Sequence, residues 1–487
     1  MTQSAYFALG GGLDLVTPVR QLQPGNAIAA VNYECPITGG YRRIDGYTQL
    51  GPEVPGEGPM LGVATFHDRH YAIRRDGAEA TLYRLNDAQD AWLTVAEGLH
   101  PGRHEFDEGN LYATEGGTAL YGVGGGKPFE LAQDETVTVL EDAQAGATMI
   151  ALHRTHLILG FDAGSLQFSG IGDPANWDAA TGGAGEIGVG QTLTGLVKGV
   201  GGVLHILCRD SIQTWRGSSL ADGELQVTVP GAGARRYSGQ SMMMPFFVGE
   251  RGITNLQSSN EFGDFTALQP GRVVEPLFTR ARLADRVVAS AVSKAKGQYR
   301  VFFDDRSALY VSPTGITRVE FPDQITVTHT AEFSSGEEVL LVGDDQGRVH
   351  RLDSGDSFNG EPIRAFLTLA FNDLQAAGTR KRFRRAIFDI RSGSSARVWV
   401  QPDFGYGDPD TARARRTAMD YVLSGGLWNA DRWNEFRWTV TLLGEENVDC
   451  PGTANSINFA IFSEDIAEPH ELLGYELQYE VRRLRRG

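Results

Sequence analysis

One short segment of this sequence is close to a phosphate-binding loop. Gly122–Lys127 reads GVGGGK, and glycine-rich turns that end in lysine cradle the phosphates of nucleotides. The full pattern requires a glycine where Tyr121 stands and a serine or threonine where Pro128 stands, because that hydroxyl group binds the metal ion. The segment therefore indicates a turn between two strands and not a nucleotide site.

Histidine and acidic residues occur in further patterns that suit metal binding or catalysis. His153 and His156 have no cysteine or acidic residue beside them, and on one strand they would point to opposite faces. Asp304–Asp305 and Asp344–Asp345 lie where hairpin turns are predicted, and aspartate stabilises turns through local hydrogen bonds. His470–Gly474 (HELLG) lacks the second histidine of HExxH. We therefore predict no enzyme, catalytic residue, cofactor or metal ligand.

Basic residues beside aromatic ones form a second kind of candidate site. As a strand, the run RKRFRR places Arg382 and Arg384 on one face and Phe383 and Arg385 on the other. Such a run contacts either nucleic-acid phosphates or the acidic surface of a neighbouring subunit. Because the repeat region of the chain is acidic, a neighbouring subunit is favoured over nucleic acid as the contact. The residues predicted to contact another subunit are Tyr41, Arg42, Arg43, Arg380, Lys381, Arg382, Arg384, Arg385, Arg482 and Arg483.

The charge of the chain is unevenly distributed. The 487 residues include 44 Lys+Arg and 61 Asp+Glu, which gives a net charge of −17. Residues 356–487 are nearly balanced, with 17 basic and 19 acidic residues, whereas residues 1–355 hold 27 basic and 42 acidic ones. This balance argues against general, electrostatically driven binding to nucleic acid.

A repeated hairpin pattern predicts the fold that must position these residues. Leu340–Gly355 shows it clearly, with alternating apolar residues on both sides of a polar turn. Equivalent turns are centred near Gly77, Gly117, Gly164, Ser211, Gly252, Arg306 and Gly347. Their mean spacing of 45 residues is typical of a β-propeller blade of four antiparallel strands. We predict about seven blades; six or eight blades, or an irregular multi-sandwich protein, also fit the spacing.

Composition divides the chain into three predicted regions. The 61 glycines and the lack of a long helical pattern favour an all-β protein. We expect an N-terminal arm and linker at 1–60, a β-propeller at 61–355 and a C-terminal β platform domain, a sandwich or small barrel, at 356–487. Three distant cysteines (Cys35, Cys208 and Cys450) fit a reducing site of synthesis. We expect neither a secretion signal nor a membrane span.

Several segments resemble one family of bacteriophage tail proteins. They are Gly11–Tyr47 (with GGLDLVTP and YECPITGGYRRIDGY), Phe168–Trp177 (FSGIGDPANW), Arg209–Gly217 (RDSIQTWRG), Gly252–Phe265 (GITNLQSSNEFGDF), and Leu352–Gly360 (LDSGDSFNG) followed by TRKRFRR. The family is the tail-nozzle group of short-tailed phages, similar to tail tubular protein B and the packaged-DNA stabilisation proteins. The resemblance extends over most of the chain in scattered blocks, which occur in the family's order.

The resemblance implies a structural role in the virion tail, assembled in the cytoplasm of the host bacterium. A hexamer of the chain would form a tube below the portal and adaptor rings, extend the DNA channel, retain packaged DNA and carry fibre or spike proteins. Six copies at −17 give −102, and a negative lumen would let DNA pass without sequence-specific binding. Two alternatives stay open: a host-surface propeller that binds glycan or protein, and a propeller hydrolase or lyase.

Overall fold

The computed structural model describes residues 2–258, 265–393, 396–407, 416–421 and 444–482, which form strands over most of their length. The helices are short. They are the α-helix Glu275–Ala281 and the 3-10 segments Pro270–Val274, Leu283–Arg286 and Gly405–Gly407. Within this described part, no helix has the length and apolar character needed to cross a membrane.

The chain divides into two compact units. The propeller unit consists of Gln49–Ala308 and Phe321–Leu352. The sandwich unit consists of Met1–Thr48, Leu309–Glu320 and Asp353–Gly487. This division differs from the predicted regions at the N-terminus, because residues 1–48 supply strands to the sandwich unit instead of forming a separate arm.

The first four blades of the propeller unit are four-stranded antiparallel sheets in chain order. Blade 1 is Glu57–Phe66, Arg69–Asp76, Glu79–Leu85 and Trp92–Leu99; blade 2 is Glu105–Gly109, Ala119–Val123, Phe129–Leu131 and Val137–Val139. Blade 3 is Met149–His153, His156–Phe161, Ser165–Phe168 and Gly185–Gly188; blade 4 is Leu193–Lys198, Leu204–Cys208, Ser211–Arg216 and Glu224–Pro230.

Three further blades complete the set. Blade 5 is Gln240–Met242, Met244–Gly249, Gly252–Ser258 and Phe265–Leu268; blade 6 is Val287–Ser293, Gln298–Phe303 and the strand Ser307–Ser312, with which the chain leaves the propeller unit. Blade 7 is Ile325–Glu332, Glu338–Asp344, Val349–Leu352 and Tyr47–Gln49. The first residues of the unit close it against the last blade, since Leu50 N–H donates to the Val349 carbonyl at 2.8 Å.

The apolar core of the propeller unit lies between neighbouring blades. Phe66 and Ile73 of blade 1 are buried with Phe129 of blade 2, and Met60 of blade 1 is buried with Leu341 of blade 7. Sheets buried on both faces need apolar residues at consecutive positions, which explains the fully buried strands such as Leu204–Cys208. The predicted all-β propeller fold is confirmed, with seven blades among the described residues.

Six of the seven predicted turn centres lie at or beside the hairpin between the second and third strands of a blade. The exception is Gly117, which lies between the first and second strands of blade 2. The equivalent turn of that blade is formed by residues 124–128, within the segment that resembles a phosphate-binding loop. Both loops of this blade are rich in glycine, so spacing alone selected the wrong one.

The sandwich unit is built from two sheets. We call one the arginine sheet; its strands are Tyr33–Glu34, Tyr41–Arg43, His470–Val481, Lys381–Ser392 and Gly444–Ala454, with Gln3–Ala8 also paired to His470–Val481. The facing sheet within this unit is Gly315–Glu320, Ala27–Val31, Ile363–Leu369, Ile457–Asp465, Ala396–Phe404 and Thr417–Tyr421.

Aromatic side chains fill the space between the two sheets of the sandwich unit. Phe388 of the arginine sheet meets Phe459 of the facing sheet edge-on, with ring centroids 5.1 Å apart. The rings of Phe383 and Phe404 are stacked, with their centroids 5.8 Å apart. Aromatic pairs at these distances combine large apolar burial with favourable ring geometry. The inward faces of both sheets therefore form one core, and the outward face of the arginine sheet carries the polar residues.

Candidate functional site

Three of the predicted subunit-contact residues lie in the interior of the sandwich unit. The Tyr41 hydroxyl donates toward the carbonyls of Gly10 and Gly25, both at 3.1 Å. The Arg43 side chain is 0% exposed and donates to the Asp465 carboxylate. The remaining one, Lys381, is also buried. These three side chains offer no surface to another subunit.

Lys381 shows how the unit stabilises a buried cation. Its Nζ donates to the backbone carbonyls of Asp373, Ala376 and Asn455 at 2.5, 2.6 and 2.8 Å. Burial lowers the pKa of Lys381, and the three carbonyls supply acceptors in place of water. Arg42 is also engaged within the unit, because it pairs with Glu34 at 2.8 Å and with Asp45 at 2.6 Å.

The other described members of the predicted set are exposed on the arginine sheet: Arg380, Arg382, Arg384, Arg385 and Arg482. The predicted alternation is wrong for Arg385. A β-bulge shifts the register between Phe383 and Arg385, so that Arg384 and Arg385 are both exposed. Arg384 pairs with Glu480 at 2.7 Å. Arg483 lies outside the described residues.

A polar cavity of about 380 Å³ lies where the innermost strands of the propeller unit converge. Its lining comes from several blades. Arg103 and Glu105 belong to blade 2 and the residues before it, Lys198 to blade 4, Tyr237 to the approach to blade 5, and His329 to blade 7. No sequence motif could have indicated this cavity, since its lining residues are spread over more than 200 positions of the chain.

Cationic and aromatic groups meet on one side of the cavity. The Arg103 guanidinium lies over the Tyr237 ring at 3.7 Å, and that of Arg236 lies 4.9 Å from the same ring. Arg236 also pairs with Asp162 of the blade 3 turn at 2.5 Å and approaches Glu105 at 3.9 Å. Burial raises the pKa of Glu105 while the two arginines oppose that shift. This network links blades 2, 3 and 5.

A second charged contact crosses the cavity wall. Lys198 Nζ lies 2.5 Å from the Asp107 carboxylate, which also accepts the backbone N–H of Leu152 at 2.7 Å. His329 lines the same cavity, and burial lowers its pKa to about 4, so its imidazole is neutral at pH 7. The cavity therefore presents ion pairs, hydroxyl groups and a neutral imidazole, which suit the binding of polar groups.

One cluster in the described part has the composition of a metal site. Ligand atoms of Asp323, Asp344 and His350 lie within 4.8 Å of one another. However, Arg348 donates to Asp344 and to Asp323, both at 2.8 Å, and its positive charge offsets part of the negative charge of the two carboxylates. His350 Nε2 lies 2.9 Å from the same Asp344 oxygen, Oδ2, that Arg348 Nε contacts. The arrangement is a charged network that holds the blade 7 turn.

The other motif residues have local structural roles. Asp304 and Asp305 pair with Arg286 at 2.6 and 3.3 Å. His153 and His156 are opposite each other across a two-residue hairpin, so the assumption that they share one strand is wrong. His156 Nδ1 lies 2.6 Å from the Ser169 carbonyl, whereas His153 Nε2 lies 3.3 Å from that of Gly217.

Searches of protein-family models and of curated proteins found no match. Among solved structures, the chain is similar to virginiamycin B lyase from Staphylococcus aureus (9% identity, TM-score 0.41, 63% of this chain and 99% of that one). It is also similar to the WD40 β-propeller domain of Doa1 (12%, 0.40, 63% and 96%) and to YCF48 bound to D1 peptide (11%, 0.41, 62% and 95%). At these identities and TM-scores the likenesses carry no argument about what this chain does.

Proposed function

We propose that this chain is a structural protein of a bacteriophage tail nozzle. Six copies would form a tube below the portal and adaptor rings, continue the DNA channel and carry fibre or spike proteins. The observation that carries this proposal is the order of the segments that resemble the nozzle family, from Gly11–Tyr47 through Arg209–Gly217 to the basic run at 379–385. These segments fall in both units of the chain.

The charge of the molecule supports a wall that DNA passes without binding. The net charge of −17 repels phosphate at long range, and a ring of six copies would multiply it. The charged groups of the propeller cavity pair with one another, as in Lys198 with Asp107, so they are not arranged as a phosphate-binding groove. In this proposal the packaged DNA is a passing partner, and the lasting contacts are between proteins.

Two measurements test the proposed function. Light scattering of the purified chain should show assemblies near six copies of 52.9 kDa, or about 317 kDa. Electron cryomicroscopy of virions should then locate seven-bladed density in the tail below the adaptor ring. A protein that stays monomeric at high concentration and is missing from virions would exclude the proposal.

A host-surface propeller is the second candidate, and the polar cavity is the observation that favours it. Arg103, Glu105 and Lys198 line an opening large enough for a small polar group such as a sugar hydroxyl cluster. A glycan array with the intact chain discriminates the two candidates. Specific glycan binding together with a location at the tail tip would favour the binding role over the nozzle.

A further inference from the structure

The outward face of the arginine sheet has a charge pattern that the strand register defines. Antiparallel neighbours directly opposite each other share a face of the sheet. Arg382 is opposite Glu480, Arg385 is opposite Asp449, and Asp389 is opposite Glu445. The face therefore changes from basic to acidic along the strand Lys381–Ser392. The eight residues from Arg382 to Asp389 span roughly 20 Å.

The basic end of this face holds more positive charge than its acidic neighbours balance. Arg384 pairs with Glu480 at 2.7 Å, and Arg385 approaches Asp449 at 3.5 Å. The three other arginines there are exposed, and among the described residues none of them forms an ion pair; they are Arg380, Arg382 and Arg482. This end is available to an acidic partner surface.

The acidic end has the opposite imbalance. Asp389 and Glu445 are directly opposite each other on neighbouring strands, and like charges in that position destabilise a sheet. Glu476 lies two rungs away on the other neighbouring strand, opposite Ile387. Neither Glu445 nor Glu476 forms an ion pair within the described chain. Asp389 accepts a hydrogen bond from the Tyr6 hydroxyl at 2.8 Å, which adds no positive charge. A cationic partner would relieve the repulsion at this end.

We propose that the basic end of this face in one copy of the chain binds the acidic end in the next copy. The occupant is a second copy because both complementary charge clusters are present on one molecule. The head-to-tail geometry rests on the proposed nozzle function, since a head-to-tail contact gives a closed ring when the rotation between copies closes and an open filament when it does not. Complementary charge determines the partner and the register of such an interface.

Charge reversal at each end tests the pairing. We expect R380E/R382E/R482E alone and E445R/E476R alone to remain monomeric, near 52.9 kDa in light scattering, because each variant places like charges against each other. A 1:1 mixture of the two variants restores opposite charges at every contact and should recover the mass of the wild-type assembly. The matched control R282Q/R364Q/R397Q changes three exposed arginines elsewhere and should assemble like the wild type.

The remaining outcomes overturn the proposal in distinct ways. If the wild type assembles and either variant assembles equally well, or if the mixture does not recover assembly, the interface is wrong and the nozzle function still stands. A wild-type dimer of about 106 kDa would indicate a two-fold contact instead of a ring. Loss of bound nucleic acid without loss of assembly in the arginine variant would assign the basic end to phosphate. A wild type that never assembles excludes the proposed interface, and it excludes the nozzle function as well if the chain is also missing from virions. Circular dichroism and thermal unfolding establish that the variants are folded.

Discussion

The two units of this molecule use charged side chains differently. In the propeller unit, charged side chains pair across blades, as Arg236 does with Asp162 and Lys198 with Asp107. In the sandwich unit, the buried cations Arg43 and Lys381 hold loops through carbonyl oxygens. Three further arginines, Arg380, Arg382 and Arg482, are exposed and form no ion pair with the residues that the structure describes. Charged side chains that pair within the fold hold its strands and loops together. Charged side chains that have no counter-charge at the surface are suited to bind another protein.

Lowering the pH should produce the largest difference in stability between the two units. Burial lowers the pKa of His70, His104, His205 and His329 in the propeller unit to about 4. The sandwich unit has one described counterpart, His470, whose pKa burial and the nearby arginines lower to about 3. Because histidine in an unfolded chain titrates near pH 6.5, the unfolded state binds protons first as the pH falls. The stabilisation present above pH 6.5 is therefore lost between about 6.5 and 4.

We expect each of these histidines to cost about 1–2 kcal/mol between pH 7.5 and 5, so the propeller unit should lose more stability than any single substitution below removes. Hydrogen exchange followed peptide by peptide distinguishes the units. Protection should fall in blades 1–7 before it falls in the sandwich unit. A comparison of pH 7.5 with 8.5, after correction for intrinsic exchange, is the control and should show no difference. Equal losses in both units would contradict the prediction.

Arg43→Met should be the most damaging single substitution. It leaves the Asp465 carboxylate and the Ala467 carbonyl without their buried donor, and breaking such a contact costs about 3–5 kcal/mol. Urea unfolding monitored by hydrogen exchange should show the loss in the sandwich unit. Arg364→Met is the matched control, because Arg364 is 81% exposed and its pair with Glu464 contributes at most about 1 kcal/mol. Similar losses for the two variants would refute the buried role.

Asp107→Asn should have an intermediate effect in the propeller unit. The substitution removes the negative charge that Lys198 contacts and weakens the acceptor for Leu152 N–H, so we expect a loss of about 1–2 kcal/mol. Lys198→Gln removes the same ion pair but leaves the backbone hydrogen bond, and should cost under about 1 kcal/mol because Lys198 is 46% exposed. The thermal unfolding midpoints of both variants, compared with that of the wild type, show which variant loses more stability. The reverse order would show that the ion pair matters more than the backbone contact.

Arg384→Gln and Arg385→Gln should have the smallest effect on stability. Both side chains are nearly half exposed, and surface pairs of this kind contribute about 0–1 kcal/mol. We expect unfolding midpoints close to that of the wild type. A large loss in either variant would mean that these arginines stabilise the fold, and would weaken the comparison drawn between the two units.

The sequence predicted the propeller because its turns repeat and its strands alternate, and both signals are local. Gly77 and Gly347, for example, mark equivalent hairpins in blades 1 and 7. The bulge at Arg385 was not predictable, since alternation assumes one residue per rung. The sequence predicts Arg43 and Lys381 on a surface because cations are rarely buried. The carbonyls that accept their hydrogen bonds in the interior come from distant segments of the chain. The polar cavity could not be predicted from the sequence either, because its lining residues meet only once the blades are assembled.

The hydrogen bond between Leu50 and Val349 joins residues that are far apart in the chain, so the propeller unit can close only late in translation. The ribosome must add about 300 residues after Leu50 before its partner strand exists, which at 5–20 residues per second takes about 15–60 s. During that interval the strand Tyr47–Gln49 lacks its partner strand, and the first and last blades made so far each expose an apolar face that is prone to aggregation. The nascent chain should therefore depend on chaperones until the seventh blade is made.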